Sequence, residues 1–183
     1  MSKKTKSTSN SNQSETIVLN QIATDAIAGI INSAFETGLN PSWFEVKSLN
    51  ENGFLDSAFA CRMPLENGNF IEGFDTPSGK PAQLNWTLTA RLNADGVNES
   101  EEADTDWVTV SAKDIFLRWK SFADNPDKST YARNVARNYI DYVLKMNDGD
   151  YKFAYYIWKE GNWDGVSDDM MAQIAIGGDC IFG

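Results

Sequence analysis

Glu36, Asp169, Gln173 and Asp179 are polar residues set into the otherwise apolar ends of this chain. Brought together on one pocket, two of the carboxylates can do general acid–base work, with burial raising the pKa of one. A carboxylate-based hydrolase would pair Glu36 with Asp169 or Asp179 at a separation of roughly 5–10 Å. The simpler reading has the same residues cap helix ends and satisfy backbone N–H groups at a glycine turn. Carboxylates come first because the sequence contains no histidine. Ser-His-Asp and Cys-His nucleophile arrangements are thereby excluded, as are imidazole metal sites. No GxxxxGK[ST] phosphate loop and no GxGxxG fingerprint occurs. The acidic loops NADGVNESEEAD and NWDGVSDD miss the EF-hand spacing, so neither a metal nor a cofactor is expected.

Binding chemistry has more candidates. Tyr151, Tyr155, Tyr156, Trp158 and Trp163 crowd into thirteen residues, and Tyr and Trp are common at binding hot spots. YKFAYYIWK reads as a strand or as a continuation of the preceding helix; its Tyr and Trp content favours the strand, which turns about half of them into the core and leaves the rest as a surface patch. They could also stack a nucleotide base. Arg133 and Arg137 form the one tidy basic pair and could hold a phosphate or carboxylate, although pairing with the chain's own acids is simpler. The run ESEEADTD, with Glu99, Glu101, Glu102, Asp104 and Asp106, is either a solvated loop or a contact to a basic partner.

The formal net charge is −10. Lys3, Lys4 and Lys6 are included in that figure, so residues 15–183 carry −13. Nucleic acids are bound chiefly by neutralising phosphates, so direct DNA or RNA binding is not expected, whereas a basic protein surface is a natural partner. No apolar stretch approaches the ~20 residues that span a bilayer, and MSKKTKSTSNSNQSE lacks the apolar region of a secretory signal. Residues 1–15 read as a disordered polar and basic tail, and 16–183 as a single acidic domain in the cytoplasm. Cys61 and Cys180 are far apart and read as free thiols.

The elements that must position these residues follow from periodicity. Ile22, Ala26, Ile27, Ile30, Ile31, Ala34 and Phe35 recur at helical spacing, with Asn20 as N-cap and Gly38 closing the helix. PSWFEVKSL reads as a strand, LNWTLTARL as an alternating strand with Leu84, Trp86, Leu88 and Ala90 on one side, and WVTV as another. SAKDIFLRWKSFA is a helix opened by a Ser111/Asp114 capping box, with Ile115, Phe116, Trp119 and Phe122 inward. TYARNVARNYIDYVLKM is a second, burying Ala132, Val135, Ala136, Tyr139, Val143 and Met146, with Arg133, Arg137, Asp141 and Lys145 on an exposed row. SDDMMAQIAI is a short helix with Ser167 as N-cap. Gly177 and Gly178 then break it, and GDCIFG returns as a terminal strand. These elements make a single α+β domain: a small, mostly antiparallel sheet with three or four helices packed on one face.

The ending DDMMAQIAIGGDCIFG also resembles that of a group of small uncharacterised bacteriophage proteins, through Asp169, Gln173, Ala175, Gly178, Asp179, Phe182 and Gly183. SAFETGLNPSWFEV is similar to their early helix and aromatic strand, through Ala34, Phe35, Glu36, Gly38 and Trp43. Thr37 stands at one of the group's glycine positions, Asp179 where Glu is usual, and Gly177 in place of an aromatic. The resemblance covers some 50 residues at the two ends and implies a phage or prophage origin without implying any chemistry.

The expected function is a small non-enzymatic phage-type accessory protein that binds a host or defence protein through an acidic and aromatic surface. One alternative is a sponge for signalling nucleotides built on Tyr155, Trp158, Arg133 and Arg137. The other is the carboxylate hydrolase.

Overall fold

The computed structural model describes residues 17–37, 44–48, 63–71, 85–92, 106–161, 163 and 165–180. Helix α1 (Gln21–Thr37) starts where Asn20 accepts the Ala23 N–H at 2.9 Å, which satisfies one of the free amides of a first turn. Asn20 also donates from its side chain to the Asn147 carbonyl, and its own N–H donates to Asn147 Oδ1, so the cap is tied to a second helix. Strands β1 (Phe44–Ser48), β4 (Thr87–Leu92) and β5 (Val108–Ser111) form one antiparallel sheet in the order β1-β4-β5. A separate hairpin joins β2 (Met63–Pro64) to β3 (Phe70–Ile71), its turn carried by Gly68 at φ 82°. Leu88 and Ala90 are buried and pair with Val110 and Val108, while Thr89 and Thr109 face each other on the outer side with hydroxyls 2.9 Å apart. The alternation expected of LNWTLTARL is observed.

Ser111 ends β5 and opens α2 (Ala112–Asp124). Its hydroxyl accepts the Asp114 N–H while the Asp114 carboxylate accepts the Ser111 N–H, which is the expected reciprocal cap. Ile115, Phe116, Trp119 and Phe122 are buried as their spacing requires. Helix α3 (Thr130–Asp148) buries Ala132, Ala136, Tyr139, Ile140, Tyr142, Val143 and Met146, and Gly149 at φ 77° closes it. Two of the row expected to be exposed, Arg133 and Lys145, are half-buried.

Three expectations are corrected. YKFAYYIWK is helix α4 (Tyr151–Glu160), with Asp150 accepting the Phe153 N–H and Gly161 as its C-cap. A cap at each end and the inward spacing of Tyr151, Ala154 and Ile157 override the strand preference of Tyr and Trp. Helix α5 (Gly165–Gly177) begins before Ser167, which is therefore no cap but a buried side chain within the helix. After Gly178, at φ 76°, Asp179 and Cys180 are not in a strand; Phe182 and Gly183 lie outside the described residues.

The fold is α+β, with five helices among the described residues against a small antiparallel sheet. Helix α5 is its axis. It packs on α1, α2, α3, β4 and β5, and Met170 to Ile176 are all buried. A helix that is apolar all round belongs in the centre of a core. Trp86, Trp119, Tyr139 and Phe116 are the largest fully buried side chains, and one contiguous apolar cluster includes the buried residues of β4 and of all five helices.

Candidate functional site

The buried part of a central helix must have its polar groups satisfied by its neighbours, because water reaches only the extreme ends, here Val166 and Gly177. At the N-terminal end of α5 the buried Asp168 carboxylate accepts the Ser33 hydroxyl from α1 at 2.5 Å and the Tyr139 hydroxyl from α3 at 2.6 Å. An anion in the first turn also suits the helix dipole. At the other end, Arg118 of α2 donates to the Ala175 and Ile176 carbonyls, and the Trp119 indole N–H to the Met171 carbonyl. Tyr139 was expected only as an inward residue of its helix, and Ser33 and Asp168 were not named as site candidates. Ser33 and Asp168 are 135 positions apart and look like ordinary polar helix residues.

The expected polar cluster divides. Asp169 accepts from Gln173 at 2.8 Å one turn along α5, and burial raises the Asp169 pKa above the ordinary carboxylate value. Asp179 is ion-paired with Lys128. Both carboxylates lie near Cys180, whose thiol pKa is pushed up by burial first and then by those two charges, so it stays protonated and a poor nucleophile. Glu36 is in α1, but its side chain lies outside what is described. Gly38, Trp43, Cys61, Leu84 and the acidic residues Glu99, Glu101, Glu102 and Asp104, like the tail at residues 1–15, also lie outside the described residues. Among the described residues no group of three or more His, Cys, Asp or Glu side chains could hold a metal ion, and no helix is long and apolar enough to cross a membrane.

Arg133 and Arg137 both donate to the Ala123 carbonyl, capping the C-terminal end of α2, and Arg137 adds a bond to Asn134. Cationic groups at that end oppose the negative pole of the helix. The pair thus has a structural role at the end of α2.

The aromatic segment separates into two sets. Trp163 packs inward: its ring centroid is 3.9 Å from that of Tyr139 and 4.9 Å from that of Tyr142, and its indole N–H donates to the Ile157 carbonyl. That geometry depends on Gly161, because a Cβ there would fall 1.8 Å from the Trp163 indole nitrogen. Trp163 is therefore half-buried packing and not part of an exposed patch as expected. Tyr151 likewise meets Phe70 of the hairpin edge-on at 4.8 Å. The outward set is Phe153, 52% exposed, with Tyr156 and Trp158 at 37% each. Half-buried Tyr155 touches both Tyr156 and Trp158 and lies under Lys159. Of ten residues, α4 fully buries only Ala154.

Between the C-terminal end of α4 and the start of α3 runs a half-open cleft of about 260 Å³, lined by Tyr131, Asn134, Val135, Asn138, Tyr139, Glu160, Gly161 and Trp163. Tyr131, 63% exposed, stands at its rim. Glu160 is common to both features: it ends α4 and lines the cleft, so the cleft and the exposed side chains of α4 are the candidate binding surface. Its residues Tyr155, Tyr156, Trp158 and Trp163 were named from the sequence; Phe153, Tyr131 and Glu160 were missed. With α4 read as a helix, the outward row Phe153–Tyr156–Glu160 would have been visible at i, i+3, i+7 spacing. Compared with protein-family models, curated proteins and solved structures, the chain matches none.

Proposed function

We propose that this chain is a small non-catalytic accessory protein of phage type that docks a basic host or defence protein on the outward face of α4. One observation carries the reading: a surface helix normally points polar residues at water, yet beside the exposed Lys152, Lys159 and Glu160 helix α4 also exposes three large aromatic side chains, Phe153, Tyr156 and Trp158. Tyr and Trp anchors are typical of interface centres, and the net charge of −10 favours a basic partner. The phage origin rests on the resemblance of the two chain ends. In keeping with a non-catalytic role, Asp169 is bonded to Gln173, Asp179 to Lys128 and Asp168 to two hydroxyls.

The test is affinity capture from a host lysate on the wild-type chain and on Tyr156→Ala/Trp158→Ala, with light scattering of each alone. The expected result is one stoichiometric basic protein retained by the wild type and lost from a variant that melts within a few degrees of it. Equal retention by both, or a wild-type homodimer that the variant splits, contradicts the reading.

A further inference from the structure

We infer that the cleft between α3 and α4 receives an arginine side chain of the partner, a specificity that rests on the binding reading above and deepens it. Three rings line it: Tyr139 and Trp163 pack against each other, Tyr139 being buried and Trp163 half-buried, and Tyr131 stands exposed and free to cover a guest. Among the described residues Glu160 is the one charged residue of the lining, and the amides of Asn134 and Asn138 lie beside it. Arg137, on the flank of α3, is turned to Asn134 and to the Ala123 carbonyl. Aromatic faces beside one carboxylate attract a cation.

Size and shape narrow which cation. A volume of about 260 Å³ is below the ~300–1,000 Å³ of pockets that enclose drug-sized ligands, so one long side chain fits better than a nucleotide. A guanidinium is planar, stacks on aromatic rings, is weakly hydrated and pairs with a carboxylate through two parallel N–H bonds, with donors to spare for an amide oxygen. An ammonium offers a compact, strongly hydrated charge and no plane to stack. The wall is also fixed in advance, since Gly161 lets the Trp163 indole sit against α4 and the Ile157 carbonyl holds it there. Preorganisation of that kind lowers the cost of binding.

The test is a titration of the isotopically labelled full-length chain, followed through the Trp163 indole N–H signal, which Trp163→Phe assigns. The probes are three blocked heptapeptides identical except for a central Arg, its uncharged isostere citrulline, or Lys. The Arg peptide should move the Trp163 signal to saturation. It should bind at least fivefold more tightly than the citrulline and Lys peptides, and at least fivefold less tightly to Glu160→Gln and to Tyr131→Ala. Both variants alter exposed side chains, and unchanged signals from the other indoles show that the fold is kept. Equal shifts from the citrulline or Lys peptide, or no shift at Trp163, overturn the inference. If the Arg peptide fails while Tyr156→Ala/Trp158→Ala still loses its partner, the arginine specificity falls and the docking face stands. If neither behaves as expected, both fall.

Discussion

At Asp168 three helices meet on one carboxylate. Tyr139→Phe removes the 2.6 Å hydroxyl bond while leaving the ring that Trp163 packs against, so it isolates that bond. A typical intramolecular hydrogen bond contributes about 0.5–1.5 kcal/mol, and urea denaturation should show a loss in that range with the cleft otherwise intact. Asp169 behaves in the opposite sense. Burial raises its pKa above the ordinary 3.8, so the folded chain holds this proton to higher pH than the unfolded chain does. The ionised form therefore costs stability above the folded value, and the cost disappears below 3.8. Asp169→Asn should raise the melting temperature near pH 7 and give no gain near pH 3.5; an equal gain at both pH values would contradict the assignment. Asp114 has the usual sign: bonds from Ser111 lower its pKa below 3.8. Its contribution is full above 3.8 and is lost as pH falls through the lowered folded value.

At the scale of elements, the cap that makes this bond is also what joins β5 to α2. Ser111→Ala should cost about 1 kcal/mol, within the ~0.5–2 kcal/mol of an N-cap loss, measurable by chemical denaturation at neutral pH. Gly161→Ala is the sharper test of the α4 end. A Cβ would meet the Trp163 ring at 1.8 Å and the Ile157 carbonyl at 2.9 Å, so the indole must leave Tyr139. The expected signs are a shifted Trp163 fluorescence and loss of the cleft, with far-ultraviolet circular dichroism nearly unchanged.

Elements with a strong period were legible from the sequence: α1, α2 and α3 through their apolar faces, β4 through its alternation, and the caps at Asn20 and Ser111 through residue type. Helix α4 was not, because its Tyr and Trp content argues for strand while the evidence for helix lies in Asp150 and Gly161 outside it. Helix α5 was only partly legible: a helix buried on every side has no polar face to set its phase, so its start was misplaced at Ser167. The bond from Ser33 to Asp168 was beyond sequence reasoning, since nothing local to either residue points to the other.

At the scale of the whole molecule, among the described residues β4, β5, α1, α2 and α3 all pack on α5, while α4 fully buries only Ala154. Phe153, Tyr156 and Trp158 therefore contribute little to folding, and their removal should cost binding far more than stability. An interface anchor truncated to alanine typically loses about 2 kcal/mol or more, roughly thirtyfold in affinity. The most direct measurement places a photo-crosslinking amino acid at the exposed Lys159 of α4, next to the anchor Trp158, and, as a control, at the exposed Lys120 of α2, in cells of the proposed host. The docking account predicts a cross-link to one basic protein from position 159 and none from position 120. Equal labelling from both positions, or cross-links from 159 only to a second copy of the chain, would contradict it.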